Sequence, residues 1–171
     1  MYNYNISKYN PEFRDHNRRY QKDEWIAISD IGRVFEGVKL TDAAYMKVED
    51  SYIQAIKQIM KFHSLPSLYC RKYQHSYSYD QFLDITKPYN HLYSEELLHF
   101  YRKFSGNILG GEEVDYLCRL QLREDVWSEI YYPRRLKIFI CYDYLMGIAS
   151  SRPLNKILPQ IKELGLYIET H

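Results

Sequence analysis

The strongest periodic pattern in the chain is LTDAAYMKVEDSYIQAIKQIMKFH, where Tyr45, Val48, Tyr52, Ala55, Ile56 and Ile59 recur at helical spacing and Lys47, Asp50, Gln54, Lys57 and Lys61 fall on the other side. Thr41 is a good N-cap, Asp42 complements the helix dipole, and Leu40 and Tyr45 occupy the two positions of a hydrophobic staple. The pattern predicts a helix over 42–63. Upstream, Trp25, Ile28, Ile31 and Phe35 can share one helical face, with Gly37 as its closing residue. Within that run Ser29 or Asp30 can cap a short turn, and Gly32 marks a bend or a close approach. The first 24 residues hold no sustained period and are expected to form an irregular N-terminal arm. Residues 25–171 then make one globular domain.

Pro66 stops the long helix, and SLYCRKYQ reads as a short strand or extended connection. Ser78 caps a helix over Tyr79 to Ile85, which Pro88 and Asn90 end. Ser94 caps EELLHFYRKF, whose buried side is Leu97, Tyr101 and Phe104, with Gly106 closing it. Gly110 and Gly111 open EEVDYLCRLQL, with Val114, Leu117 and Cys118 on one face. Beyond Pro133 the period changes. LKIFICYDYLMGIAS is β-branched and aromatic, long enough for two short antiparallel strands, with Gly147 as a bulge or bend. The tail predicts a helix from Pro153 or Asn155 to Leu164 and a strand LYIE, with Pro159 in conflict unless the helix starts late. The expected fold is α+β, a mainly helical single domain with a small C-terminal antiparallel sheet.

A chain of 171 residues suits one domain. Its 23 Lys and Arg against 22 Asp and Glu leave a net charge of +1, so no overall field draws it to nucleic acid or an anionic membrane. Cys70, Cys118 and Cys141 are odd in number and far apart, which points to buried thiols in a reducing compartment and away from a disulfide framework. The first residues have no signal-peptide pattern, and no apolar run approaches the roughly twenty residues of a membrane helix. A cytoplasmic protein is expected. The 19 tyrosines against 7 phenylalanines fit either a wide, partly polar contact surface or tyrosine filling half-buried positions through coding bias.

The pairing Gly110-Gly111 is followed by Glu112 and Glu113, which would repel a phosphate. The six histidines, His16, His63, His75, His91, His99 and His171, show no metal-ligand spacing, so no metal or cofactor is expected. Cys70 beside Arg71 and Lys72 is the best nucleophile candidate, with a structural thiol as the simpler reading. Basic residues interleave with aromatics in FRDHNRRYQK and in YYPRRLK, so an RNA-binding module using Arg14 to Arg19 with Arg134 and Arg135 stands as an alternative function.

Trp25, Ile28, Asp30-Ile31-Gly32, Phe35 and Gly37, followed by Leu40-Thr41, Tyr45, Val48-Glu49 and Tyr52, resemble the N-terminal signature of immunity proteins encoded beside bacterial polymorphic toxins, including contact-dependent growth-inhibition systems. YDYLMGI, then a helix and GLYIE, also resembles the end of such proteins. The resemblance covers residues 25 to about 60 and hardly touches the middle. It implies a non-enzymatic cytoplasmic protein that binds one cognate toxin domain, of nuclease type, and blocks its active site or substrate entry. An acidic patch would suit a basic nuclease cleft. The candidate toxin-binding residues are therefore Glu112, Glu113, Asp115 and Tyr116, with Glu124, Asp125 and Glu129 further on. Acidic residues at a helix start also serve the dipole whatever the function.

Overall fold

In the computed structural model, which describes residues 1–170, an antiparallel sheet organises the chain. Its strands are β1 (Tyr2–Ser7), β4 (Ser67–His75), β5 (Ile108–Gly110), β6 (Val126–Tyr132), β7 (Leu136–Ile140), β8 (Leu145–Ser150) and β9 (Tyr167–Thr170), in the spatial order β5-β4-β6-β7-β8-β1-β9. β2 (Val34–Phe35) and β3 (Val38–Lys39) form a separate hairpin. The helices are α1 (Asp42–Phe62), α2 (Tyr79–Thr86), α3 (Glu95–Lys103), α4 (Glu112–Leu122) and α5 (Leu158–Glu163). The mainly helical architecture with a small C-terminal sheet is thus overturned: the sheet has seven strands and spans the chain from Tyr2 to Thr170.

The reason lies in β1 and β6. YNYNIS does alternate, with Tyr4 and Ile6 buried and Asn3 and Asn5 exposed, but asparagine is a poor strand former and masks the period. Its strand state comes from partners far along the chain, Tyr2 opposite Ser150 and Tyr4 opposite Thr170. The segment expected to be irregular therefore begins inside the sheet, between β8 and β9. Irregular chain follows Ser7, tied down by Glu24, which accepts from Lys8 Nζ at 2.9 Å and from Tyr20 Oη at 2.6 Å.

The predicted helical face of Trp25, Ile28, Ile31 and Phe35 is not helical either. A single 3-10 turn covers Ile28–Asp30, and Glu36 and Gly37, with φ of 47° and 82°, make the tight turn between β2 and β3. Both central residues at positive φ is the geometry that matches strand twist in a two-residue hairpin. Asp30 is the organising residue. Its Oδ2 accepts from the Ile26 and Ala27 amides at 2.9 and 3.2 Å, and its Oδ1 receives Arg33 Nη1 at 2.5 Å. The Gly32 amide then donates to the Leu40 carbonyl at 2.8 Å, which leads the chain into the Thr41 cap of α1. Replacing Asp30 by Ala is expected to lower stability by about 1 kcal/mol through the lost cap, read as a small drop in thermal midpoint.

The Thr41, Ser78 and Ser94 caps and the two strands after Pro133 are found where predicted. Gly147 makes no bulge; it pairs in register with Phe139. The Pro159 conflict resolves by a late start, with the proline in the first turn of α5. α4 packs on β5, β6 and β7, and α1 packs on α4 and is followed by His63, which bonds the inward-facing Ser150 of β8, so both lie on one face of the sheet. Much of the tyrosine surplus lies in this core. Tyr144 Oη donates to Tyr45 Oη at 2.5 Å, Tyr52 Oη donates to the Tyr144 carbonyl, and Tyr4 Oη accepts from the Leu154 amide. The Tyr52 and Tyr4 phenols satisfy backbone groups that burial would otherwise strand, and Tyr45 and Tyr144 satisfy each other. Cys70 and Cys118 are buried as expected, whereas Cys141 is exposed.

Candidate functional site

The candidate acidic residues separate into four places. Glu113 and Tyr116, on the first turns of α4, meet Glu95 and Glu96 of α3 around a groove of about 720 Å³, and Glu112 stands beside it at the start of α4. Ser94 fixes the entry to α3 by accepting from the Leu97 amide, and Leu97, Phe100 and Tyr101 turn inward. That leaves Glu95, Glu96 and His99 facing solvent, while Leu98 and Phe100 supply an apolar lining. The rings of Phe100 and Tyr116 approach to 5.7 Å and hold the two helices together.

The carboxylates in and beside the groove are oriented before any partner arrives. Glu113 Oε2 accepts from the Gly110 amide at 3.1 Å, and Glu112 Oε2 accepts from Tyr116 Oη at 3.1 Å. Hydrogen bonds from its own amide and from Ser94 hold the Glu96 carboxyl below the usual carboxylate range. Among the described residues Arg102 is the one Lys or Arg lining the groove, and its guanidinium also lies 5.8 Å from the Tyr79 ring.

The other candidates are engaged elsewhere. Asp115 receives Lys57 Nζ of α1 at 2.6 Å. Glu129, on the uncovered face of the sheet, receives Arg71 Nε and Lys72 Nζ, each at 2.5 Å. Glu124 and Asp125 lie in the α4–β6 turn, where Asp125 is only 3% exposed and accepts from Tyr93 Oη at 2.8 Å. Burial pushes the Asp125 carboxyl up to about 7, against the lowering effects of the Tyr93 bond and Arg123.

A buried charge network beside Asp125 escaped the sequence reading. Glu49, fully buried on α1, accepts from Arg123 Nε at 2.7 Å and Nη2 at 2.8 Å, and from Arg119 Nη1 at 2.7 Å. Arg123 also donates to the Leu92 carbonyl at 2.9 Å and lies 4.5 Å from the Tyr93 ring. Burial by itself would lower the pKa of Arg123, but the bonds and charge of Glu49 raise it well beyond its ordinary value. This network ties α1 to α4 and to the 87–92 turn. Its one legible signal was a glutamate inside an apolar stripe, at i+4 from Tyr45 and i−3 from Tyr52.

The two basic-aromatic runs end up apart. Arg134 and Arg135 are in the β6–β7 hairpin, whereas Arg14 reaches Glu169 of β9 at 3.4 Å, with β8 and β1 between. Among the described residues, no three His, Cys, Asp or Glu side chains gather as metal ligands, and no helix is long and apolar enough to cross a membrane. No family model matches the chain, and no curated protein and no solved structure is significantly similar to it.

Proposed function

We propose that the chain is an immunity protein that binds a cognate toxin domain of nuclease type in the cytoplasm and blocks its active site or substrate entry, acting as a binder and not as an enzyme. The α3–α4 groove carries this reading. Glu95, Glu96 and Glu113 come from two helices to one concavity with an apolar lining, and Tyr116 on its rim donates to the neighbouring Glu112. That arrangement suits a convex basic surface, with carboxylates steering encounter and the Phe100–Tyr116 pair supplying a rigid anchor. The likeness of residues 25–60 to immunity proteins supports the same role, although Asp30 and Gly32 within it serve the entry to α1.

Titration against the C-terminal domain of the toxin encoded next to this chain is expected to give nanomolar affinity and loss of toxicity. The double change Glu95→Lys with Glu113→Lys is expected to weaken that binding by about 30-fold or more, as truncated interfacial charge pairs do, while the protein still melts cooperatively. Absence of binding by the unaltered chain would refute the role, and full binding by the altered chain would refute the groove.

A further inference from the structure

The near-zero net charge hides a separation. The groove on the helical side is acidic, and the face of the sheet that α1 and α4 leave uncovered is basic and aromatic. On that face the ladder sets Tyr69 opposite Tyr131, Tyr131 opposite Lys137, and Arg71 opposite Glu129. A bulge between Arg71 and Gln74, with Lys72 at φ 55°, turns Lys72 to the same side, where it shares Glu129 with Arg71. One carboxylate thus serves two cations, and Lys137 is exposed with no ion pair among the described residues.

Trp127 and Phe139 stand on this face 47% and 45% exposed, and neither ring packs on another aromatic among the described residues. One step beyond the Ile130–Ile138 pair places Phe139 opposite Glu129, between the levels of Trp127 and Tyr131. Three flat rings therefore follow one another along β6 and β7 at the spacing of cross-strand diagonal neighbours, with Arg71, Lys72 and Lys137 beside them. A second copy of the chain docked here would bring these cations against their own images. A flexible polyanion carrying flat apolar rings meets both features. We infer that the open face of the sheet binds single-stranded nucleic acid, with bases on Trp127, Phe139 and Tyr131 and phosphates on Arg71, Lys72 and Lys137.

The test uses the whole chain without any protein partner, so its outcome is independent of the groove. Labelled oligouridine and oligothymidine of about 12 nucleotides, a duplex of the same length and polyglutamate are the probes. Both single strands are expected to bind with quenching of tryptophan fluorescence, and with a log–log salt slope of about −2 for three phosphate contacts. Trp127→Ala is expected to weaken binding about tenfold and abolish the quenching, and Lys137→Ala to reduce the slope by about 0.7. Binding of one sugar type alone would assign the ligand as RNA or DNA and still support the inference. No binding at low salt, equal affinity for the duplex, or unchanged affinity in a folded Trp127→Ala protein would overturn it. Displacement by polyglutamate at equal charge concentration would make the occupant an acidic protein and overturn it equally.

Discussion

Glu49→Met is expected to lower the free energy of unfolding by about 3–5 kcal/mol, because it leaves the Arg123 guanidinium buried without its counter-ion. Arg123 would keep the Leu92 carbonyl, the Met46 sulfur and the face of Tyr93, none of which carries a full charge, with the largely protonated Asp125 carboxyl nearby. A domain of this kind has roughly 5–15 kcal/mol of stability in all, so the single change should remove a large part of it. The double change Glu49→Met with Arg123→Leu is expected to recover most of the loss, since it replaces two desolvated charges with apolar packing. Urea unfolding of the four proteins in the cycle measures the coupling. A double variant as unstable as the sum of the singles would show that Glu49 and Arg123 do not act as a pair.

Asp125 is expected to make stability fall as pH rises through neutrality, the reverse of the usual carboxylate. Its folded pKa is raised to about 7 by burial, while an unfolded aspartate titrates near 3.9. Between those values the folded state holds a proton that the unfolded state has released. The contribution is present in full below about pH 4 and is lost as pH passes through about 7, by up to about 4 kcal/mol. Asp125→Asn keeps an acceptor for the Tyr93 hydroxyl and cannot ionise. It is expected to be more stable than the parent at pH 8 and to differ little from it at pH 4. Thermal melts across that interval, compared between the two proteins, isolate this residue from every other titrating group. Parallel curves would show that Asp125 ionises in the fold as freely as in solution.

The division of the acidic candidates illustrates how far residue type alone reaches. Glu112, Glu113, Asp115, Glu124, Asp125 and Glu129 form one class in the sequence, yet Glu113 lines a groove, Asp115 and Glu129 are ion-paired, and Asp125 is buried with a perturbed proton affinity. Glu49 and Arg123 show the same limit. Their 74-residue separation gave no local sign that they would meet. Tyrosine composition divided likewise, with Tyr45, Tyr52, Tyr101 and Tyr144 in the core and Tyr69 and Tyr131 on the uncovered face.

What the sequence by itself determined are the elements governed by contacts within a few residues. Ser and Thr caps act on amides two or three positions away, and the apolar stripe of α1 and the alternation of LKIFI repeat over one or two turns or pleats, so α1, α2, α3, α4, β7 and β8 were legible. Only the tertiary structure decided that YNYNIS and VWSEIYY are strands of a seven-stranded sheet, and which face of that sheet stays open. A strand's hydrogen bonds belong to its neighbours, and here the neighbour of residue 2 is residue 150. The same dependence on distant partners placed Glu95 and Glu96 against Glu113 across a groove and set the basic, aromatic face behind it.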